Sequence, residues 1–64
     1  MMVGFDVGVR VKGKPGTKDA DKIGTIVEKQ RFINGSYRLV NLLYVQWDGE
    51  TEEKEKNEDD LDIA

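Results

Sequence analysis

An alternation of apolar and polar residues that leads into an Asp-Gly pair is the feature that most restricts how this chain can fold. In residues 43–47, which read Leu-Tyr-Val-Gln-Trp, every second residue is apolar. Successive side chains of a β-strand lie on opposite sides, so Leu43, Val45 and Trp47 are expected to face a core. Asp48-Gly49 follows directly and favours a tight turn, because glycine tolerates positive φ. This stretch predicts a strand that enters a hairpin of a small β-sheet.

Further segments have strand-like patterns, and together they predict an all-β chain. Residues 5–11 alternate phenylalanine or valine with polar residues and glycine, and residues 23–28 carry a second apolar run. Both patterns are typical of strands with one buried side. Residues 51–56 are charged at almost every position, which suits an edge strand that resists pairing with other molecules. After a short turn at residues 57–60, we expect residues 61–63 to return to the core as a final strand.

Asn34-Gly35 is the strongest hairpin signal in the chain, and it predicts a register for the strands on either side. A two-residue turn there gives these cross-strand pairs: Phe32 with Tyr37, Arg31 with Arg38, Ile26 with Leu43, and Gly24 with Val45. The same register places Glu28 opposite Asn41 on the core side. A bulge near Asn41, or a looser loop at the hairpin tip, would remove that conflict.

Length and composition limit the class of protein. The chain has 64 residues and contains neither cysteine nor histidine. We expect a single domain over residues 1–64, without disulfides and without the usual ligands of structural zinc. No stretch approaches the roughly 20 apolar residues that span a bilayer. Residues 1–5 lack the basic start and the apolar length of a signal peptide. These features predict a cytoplasmic protein that does not bind membranes.

No constellation of residues indicates catalysis. Ser36 is the only serine, and the chain has no histidine that could activate it. The acidic residues near the C-terminus do not follow the spacing of a calcium-binding loop. Residues 13–18 lack the spacing of a phosphate-binding loop, and no helix is expected after them. We predict a non-enzymatic protein with no catalytic residue, no metal site and no cofactor.

The order of these motifs resembles the SH3-like small barrels, in particular the group that includes Tudor and KOW domains. The matching segments cover nearly the whole chain: Phe5-Asp6-Val7-Gly8-Val9-Arg10-Val11, Gly24-Thr25-Ile26-Val27, Tyr44-Val45-Gln46-Trp47-Asp48-Gly49 and Asp60-Leu61. The resemblance implies a small five-stranded antiparallel barrel that acts as a binding module, a fold that hosts many unrelated roles. Its Tudor side implies an aromatic cage for methylated lysine or arginine. Residues 13–22, which are aperiodic and are expected to form an exposed loop, contribute no aromatic wall to a cage.

Charge is distributed unevenly along the chain. Residues 1–46 carry eight Lys and Arg against four Asp and Glu, whereas residues 47–64 carry two against nine. In the predicted register Arg31 opposes Arg38, a like-charge pair that a bound anion would stabilise. Tyr44, expected on the same outward side, could stack on an unpaired base. The candidate nucleic-acid-binding residues, including lysines in and beside the exposed loop, are Lys29, Arg31, Arg38, Tyr44, Lys12, Lys14 and Lys18.

Two classes of function follow from these patterns. In the first, the basic hairpin face contacts RNA or DNA, or a component of the transcription or translation machinery. In the second, an adaptor or small regulator binds a protein partner through an exposed strand edge and the acidic residues 50–62. The basic face also has a purely structural explanation, in which Glu50, Glu52, Glu53 or Glu55 on the next strand neutralises the arginines. The first class requires the basic hairpin face to be free of internal ion pairs. The second requires a strand edge and the acidic residues to be accessible to a partner.

Overall fold

A computed structural model describes residues 4–64 and has an all-β fold. Its elements are β1 (Arg10–Gly13), β2 (Ile23–Ile33), β3 (Leu39–Trp47), β4 (Glu53–Asn57), a 3₁₀ turn (Glu58–Asp60) and β5 (Leu61–Ile63). The strands form one sheet in the order β4-β3-β2-β1-β5, and every neighbouring pair is antiparallel. Five antiparallel strands were predicted from the sequence, and the structure confirms them.

The buried apolar residues come from four of the five strands and form one cluster. They are Val11, Ile26, Leu43, Val45, Trp47 and Leu61. The inward side predicted for residues 43–47 is therefore confirmed, and so is the turn that follows, where Gly49 has a φ of 84°. Gly24 allows the indole to pack closely, because a Cβ there would lie 2.8 Å from Trp47 Cε3. The last strand was expected to bury both of its apolar residues, but Ile63 is exposed.

The strand expected at the start of the chain begins only at β1, so its predicted start at Phe5 is wrong. Gly8 interrupts the extended backbone with a φ of 92°, and its N–H donates to Ile26 O at 2.8 Å. Val7 consequently lies in solvent, whereas Phe5 and Val9 pack against the core. The apolar residues before β1 thus contribute to the core from a turn and not from a continuous strand.

The hairpin of β2 and β3 has a different register from the predicted one. Its pairs include Gly24 with Trp47, Ile26 with Val45, Arg31 with Asn41, Phe32 with Val40, and Ile33 with Leu39. All four predicted pairs are therefore wrong: Phe32 with Tyr37, Arg31 with Arg38, Ile26 with Leu43, and Gly24 with Val45. Residues 34–38 connect the strands in place of a two-residue turn. Asn34 Oδ1 stabilises this longer loop by accepting hydrogen bonds from the backbone N–H groups of Ser36 and Arg38, at 2.9 and 3.1 Å.

A bulge in β2 decides which hairpin side chains face the core. The register shifts at Val27, which has no partner on β3. After the shift, Glu28 pairs with Tyr44 on the outer side of the sheet, and Lys29 pairs with the buried Leu43 on the inner side. The bulge therefore lies in β2 and not near Asn41 in β3, and it removes the carboxylate of Glu28 from the core side.

Tyr37 occupies a backbone conformation that favours glycine. Its φ is 57° and its side chain is 92% exposed, so side-chain packing does not offset the strain. We expect Tyr37→Gly to raise the free energy of unfolding by about 0.5–1 kcal/mol, because the relieved strain exceeds the entropy that glycine adds to the unfolded chain. Urea denaturation measures the change. Tyr37→Ala keeps a Cβ and serves as the control, and an equal gain in both variants would contradict the strain argument.

The only helical element within residues 4–64 is the short 3₁₀ turn. None of the described helical structure has the length and apolar character needed to cross a bilayer.

Candidate binding surfaces

Most of the cationic side chains form ion pairs with carboxylates. The ion pairs are Arg10 with Asp48, Lys12 with Asp21, Lys22 with Asp19 and Glu50, Lys29 with Asp6, Lys54 with Glu52, and Lys56 with Asp19. Within residues 4–64, the cations outside these pairs are Lys14, Lys18, Arg31 and Arg38. The predicted binding residues Lys12 and Lys29 are thus already paired. The alternative in which Glu50, Glu52, Glu53 or Glu55 neutralises these arginines is not found, because neither Arg31 nor Arg38 forms an ion pair among residues 4–64.

The predicted basic face is divided between the two sides of the sheet. Lys29 and Arg31 lie on the inner side, because the bulge reverses the sides of all later residues in β2. Tyr44 lies on the outer side, where its cross-strand neighbours are Glu28 on β2 and Glu55 on β4. The expectation that these residues share one outward surface is therefore wrong. The two carboxylates beside Tyr44 also repel the phosphates of a nucleic acid.

The far end of the β2–β3 hairpin, residues 31–41, forms a two-stranded arm. β4 pairs with β3 only as far as Leu42, and β1 pairs with β2 only from Ile23 to Thr25. Four large apolar side chains of the arm are exposed, by 46%, 67%, 92% and 61%: Phe32, Ile33, Tyr37 and Leu39. Because successive side chains of a strand alternate, Phe32 is exposed on one side of the arm and the paired Ile33 and Leu39 on the other, and exposed apolar groups of this kind are typical of contact surfaces.

The arm is positively charged as well as apolar. Residues 31–41 include two cations, Arg31 and Arg38, and no carboxylate. Arg31 Nε donates to Asn41 Oδ1 at 3.1 Å, which orients the guanidinium and leaves its two terminal nitrogens without a hydrogen bond among residues 4–64. Arg38 lines a cleft of about 280 Å³ between the arm and the 3₁₀ turn, and Glu58 and Asp59 lie across this cleft. On the inner side of the arm Arg31 lies near Ile33 and Leu39, whereas Phe32 is on the outer side.

A second surface is organised by Asp19, in the loop that joins β1 and β2 (the β1–β2 loop). Asp19 is 8% exposed, and its carboxylate accepts a hydrogen bond from Lys56 Nζ on β4. Lys22 Nζ lies 3.3 Å from the other carboxylate oxygen. The hydrogen bond from Lys56 is the largest cause that lowers the pKa of Asp19, and it outweighs the opposing effect of burial. The prediction of an entirely exposed loop is thus wrong at this residue, which fastens the loop to β4.

The β1–β2 loop and β4 enclose a cleft of about 400 Å³, which we name the lysine cleft. It is lined by Lys18, Asp19, Lys22, Trp47, Glu50, Lys54 and Lys56. An adjoining part of about 340 Å³ is also lined by Thr17, Asp60 and Leu61. Trp47 Nε1 is buried and has no hydrogen-bond partner among residues 4–64. Leaving such a donor unsatisfied typically costs about 1–3 kcal/mol.

Arg10 and Asp48 form a third charged group, on the outer side of the sheet. The guanidinium contacts both carboxylate oxygens of Asp48, and it also donates to Thr25 Oγ1 at 2.9 Å. The hydrogen bonds between the two side chains raise the pKa of Arg10 and lower the pKa of Asp48. Because the Arg10 guanidinium already donates to Asp48 and Thr25, we interpret this group as stabilising the turn after β3 and not as a binding site.

The buried carboxylate of Asp19 makes the free energy of unfolding depend on pH in the acidic range. The pKa of Asp19 is lower in the folded chain than in the unfolded one, so its contribution is complete above about pH 4 and is lost as the pH falls through the folded value. We expect the melting temperature to fall steeply below about pH 4. Asp19→Asn should show a weaker acid dependence than the unaltered protein. Identical pH profiles for the two proteins would contradict this assignment.

Comparisons with protein-family models, with curated proteins and with solved structures found no match to this chain. The function therefore has to be inferred from the surfaces described above.

Proposed function

We propose that the protein is a non-enzymatic binding module with an SH3-like barrel fold. The five antiparallel strands in one sheet support this classification, because the resemblance implies five antiparallel strands. The compact sheet with a single apolar cluster is consistent with it. As such small barrels host many roles, the function has to reside in the surfaces added to the sheet.

We further propose that the arm contacts nucleic acid. The observation that carries this proposal is the pair of guanidiniums, on Arg31 and Arg38, which have no ion pair within residues 4–64. Arginine is suited to binding phosphate oxygens in a bidentate manner. A two-stranded ribbon fits the major groove of a duplex, and exposed Phe32 and Tyr37 are of the type that stacks on bases or inserts between them.

The net charge of −3 does not contradict this proposal, because the negative charge is located elsewhere. Nine carboxylates fall within residues 48–64, which form the turn after β3, β4, the 3₁₀ turn and β5. Glu58 and Asp59 lie across the cleft from Arg38, so a polyanion has to approach the arm from its tip and from the side away from this cleft. Repulsion by the acidic body then restricts the contact to this end of the molecule.

The test combines charge reversal with a salt titration. We expect Arg31→Glu with Arg38→Glu to abolish binding to a labelled DNA duplex or single-stranded RNA, measured by fluorescence anisotropy at low salt. For the unaltered protein, the logarithm of the affinity should fall linearly with the logarithm of the salt concentration. Each arginine replaced singly by glutamine should reduce that slope by about 0.7–0.9, the value for one phosphate contact.

A matched control separates the arm from a general effect of charge. Lys12→Glu with Lys54→Glu changes the net charge by the same amount at exposed positions outside the arm. This control should retain most of the affinity, because neither lysine lies within residues 31–41. Equal losses in both double variants, or an affinity that does not depend on salt, would contradict the proposal.

A protein partner is the second candidate, and the Ile33–Leu39 pair favours it. These aliphatic side chains are opposite one another at the end of the arm and are exposed by 67% and 61%. Aliphatic groups contribute to protein interfaces through burial but add little to phosphate binding. Ile33→Ser with Leu39→Ser should abolish capture of a protein partner. The same change should leave a salt-dependent nucleic-acid contact largely intact.

A further inference from the structure

We propose that the outer side of the β2–β3 hairpin is the interface of a twofold dimer of this chain. Val40, Leu42 and Tyr44 lie on the outer side of β3, opposite to the buried residues of that strand. Phe32 of β2 is the cross-strand partner of Val40 and extends the same surface into the arm. We name these four side chains the outer stripe.

The amino-acid pattern of β3 indicates a strand that is covered on both sides. A strand of an antiparallel sheet with one solvated side alternates apolar and polar residues. β3 departs from this alternation over residues 39–44, which read Leu-Val-Asn-Leu-Leu-Tyr, because Val40 and Leu42 make its outer side apolar as well. All five strands belong to one sheet, so residues 4–64 provide no second layer over the outer stripe. A second molecule would supply that layer by packing sheet against sheet.

The charges around the outer stripe are suited to a second copy of the same chain. At the tip end, Arg38 lies on the outer side, because it is adjacent to the inner-side Leu39. At the other end, Glu28 and Glu55 are the cross-strand neighbours of Tyr44. None of these three charged side chains forms an ion pair within residues 4–64. The stripe thus has a free positive charge at one end and two free negative charges at the other.

A twofold axis across the strands near Asn41 brings the opposite charges together. The axis reverses the strand direction of the second copy, so residues 38 and 44, which are equally distant from residue 41, meet across the interface. Arg38 of each copy then lies between Glu28 and Glu55 of the other copy and over the ring of Tyr44. Carboxylates and an aromatic ring are both suited to binding a guanidinium. The apolar residues between the two ends pack against one another.

The dimer does not depend on the proposed contact with nucleic acid. Arg31 lies on the inner side of the arm with Ile33 and Leu39, so it stays accessible when the outer sides pack together. Arg38 is common to both proposals, and the tests therefore compare it with Arg31.

Sedimentation equilibrium of the unaltered chain tests the oligomeric state. We expect a reversible equilibrium between monomer and dimer, with a dissociation constant that rises with sodium chloride concentration because screening weakens exposed ion pairs. A monomer at every concentration would overturn the proposal and leave a different molecule as the occupant of the outer stripe. Species larger than a dimer would also overturn it, because a twofold interface closes at two copies.

A pair of serine variants compares the two sides of the hairpin. Val40→Ser with Leu42→Ser should raise the dissociation constant of the dimer by at least about tenfold, because two apolar contacts are lost in each copy. Ile33→Ser with Leu39→Ser removes two exposed aliphatic side chains from the inner side and should leave the constant unchanged. Circular dichroism checks that both variants fold. Equal effects of the two double changes would overturn the proposal.

Charge reversal gives a second comparison, which leaves the apolar residues unaltered. Arg38→Glu should raise the dissociation constant by at least about tenfold, whereas Arg31→Glu should not change it. Adding Glu28→Arg and Glu55→Arg to Arg38→Glu exchanges the charges of the two ends and should restore the dimer. A triple variant that stays monomeric, or equal effects of the two single changes, would overturn the proposal. Arg31→Glu should weaken only the contact with nucleic acid, so the two proposals fail separately.

Discussion

Gly13→Ala is expected to reduce the free energy of unfolding by about 4 kcal/mol or more and to leave little folded protein at room temperature. A Cβ at this position would lie 1.9 Å from the carbonyl oxygen of Asp19 and 2.6 Å from its carbonyl carbon. Both atoms belong to the backbone, so no side chain can rotate to make room. Gly13 also donates its N–H to Lys22 O at 2.9 Å and accepts from Asp21 N, which holds the loop against it. Circular dichroism and urea denaturation measure the loss.

Gly35→Ala is the matched control for this change. A Cβ at Gly35 would meet no atom within 4 Å, and the residue does not have a positive φ. The substitution should therefore be neutral or raise stability by up to about 1 kcal/mol, since alanine lowers the entropy of the unfolded chain. If Gly13→Ala folded as stably as Gly35→Ala, the close approach of the β1–β2 loop to Gly13 would be wrong.

Asp19→Asn is expected to cost about 3 kcal/mol at pH 7. The substitution preserves the shape of the side chain but removes the charge that balances Lys56, whose side chain is only 12% exposed. Removing one partner of a buried ion pair leaves the other charge uncompensated, which is strongly destabilising. The free energy of unfolding from urea titrations measures the effect. Lys56→Met should restore part of the loss in the double variant, because it removes the uncompensated ammonium group.

Asp21→Asn provides the control two residues further along the same loop. The carboxylate of Asp21 lies 3.6 Å from Lys12 Nζ and its side chain is 81% exposed, so the pair contributes little. Asp21 has a φ of 67°, a conformation that asparagine adopts readily. We expect a change below about 0.5 kcal/mol. A cost similar to that of Asp19→Asn would indicate that charge anywhere in the loop matters, and not the buried contact with β4.

The core and the number of strands could be predicted from the sequence because burial follows from alternation alone. Leu43, Val45 and Trp47 face inward whichever residues of β2 lie beside them, and the charged composition of β4 marks an edge strand in any register. Alternation does not indicate where a strand begins. Phe5, Val7 and Val9 follow the strand pattern, yet Gly8 introduces a turn among them that their apolar character does not reveal.

The hairpin register could not be predicted from its strongest local signal. Asn34-Gly35 favours a two-residue turn, but the core requires Gly24 opposite Trp47, where the indole leaves no room for a Cβ. Packing of the buried Trp47 ring outweighs the preference of the exposed Asn34-Gly35 pair for a two-residue turn. The resulting change of register is accommodated by a longer loop and by the bulge at Val27.

The candidate sites were harder to predict than the fold because they depend on long-range contacts. The two arginines of the arm were selected from the sequence, but on the basis of a pairing that the structure does not contain. Asp19 and Lys56 are 37 residues apart, and nothing local distinguishes them from the other charged residues of a loop and an edge strand. Only the fold, which brings β4 beside the β1–β2 loop, places the two side chains in contact.

The pairing of β1 with β5 has a consequence for the order in which the protein folds. β2 and β3 are neighbours in the chain, so their contacts form at a small cost in chain entropy. Val11 and Ile63 lie near opposite ends of the described chain, and bringing them together requires closure of almost all of it. We therefore expect this three-residue strand to dock last during refolding. We also expect its amide protons to exchange with solvent ahead of those in the central hairpin, because the native state should open first at this short edge strand.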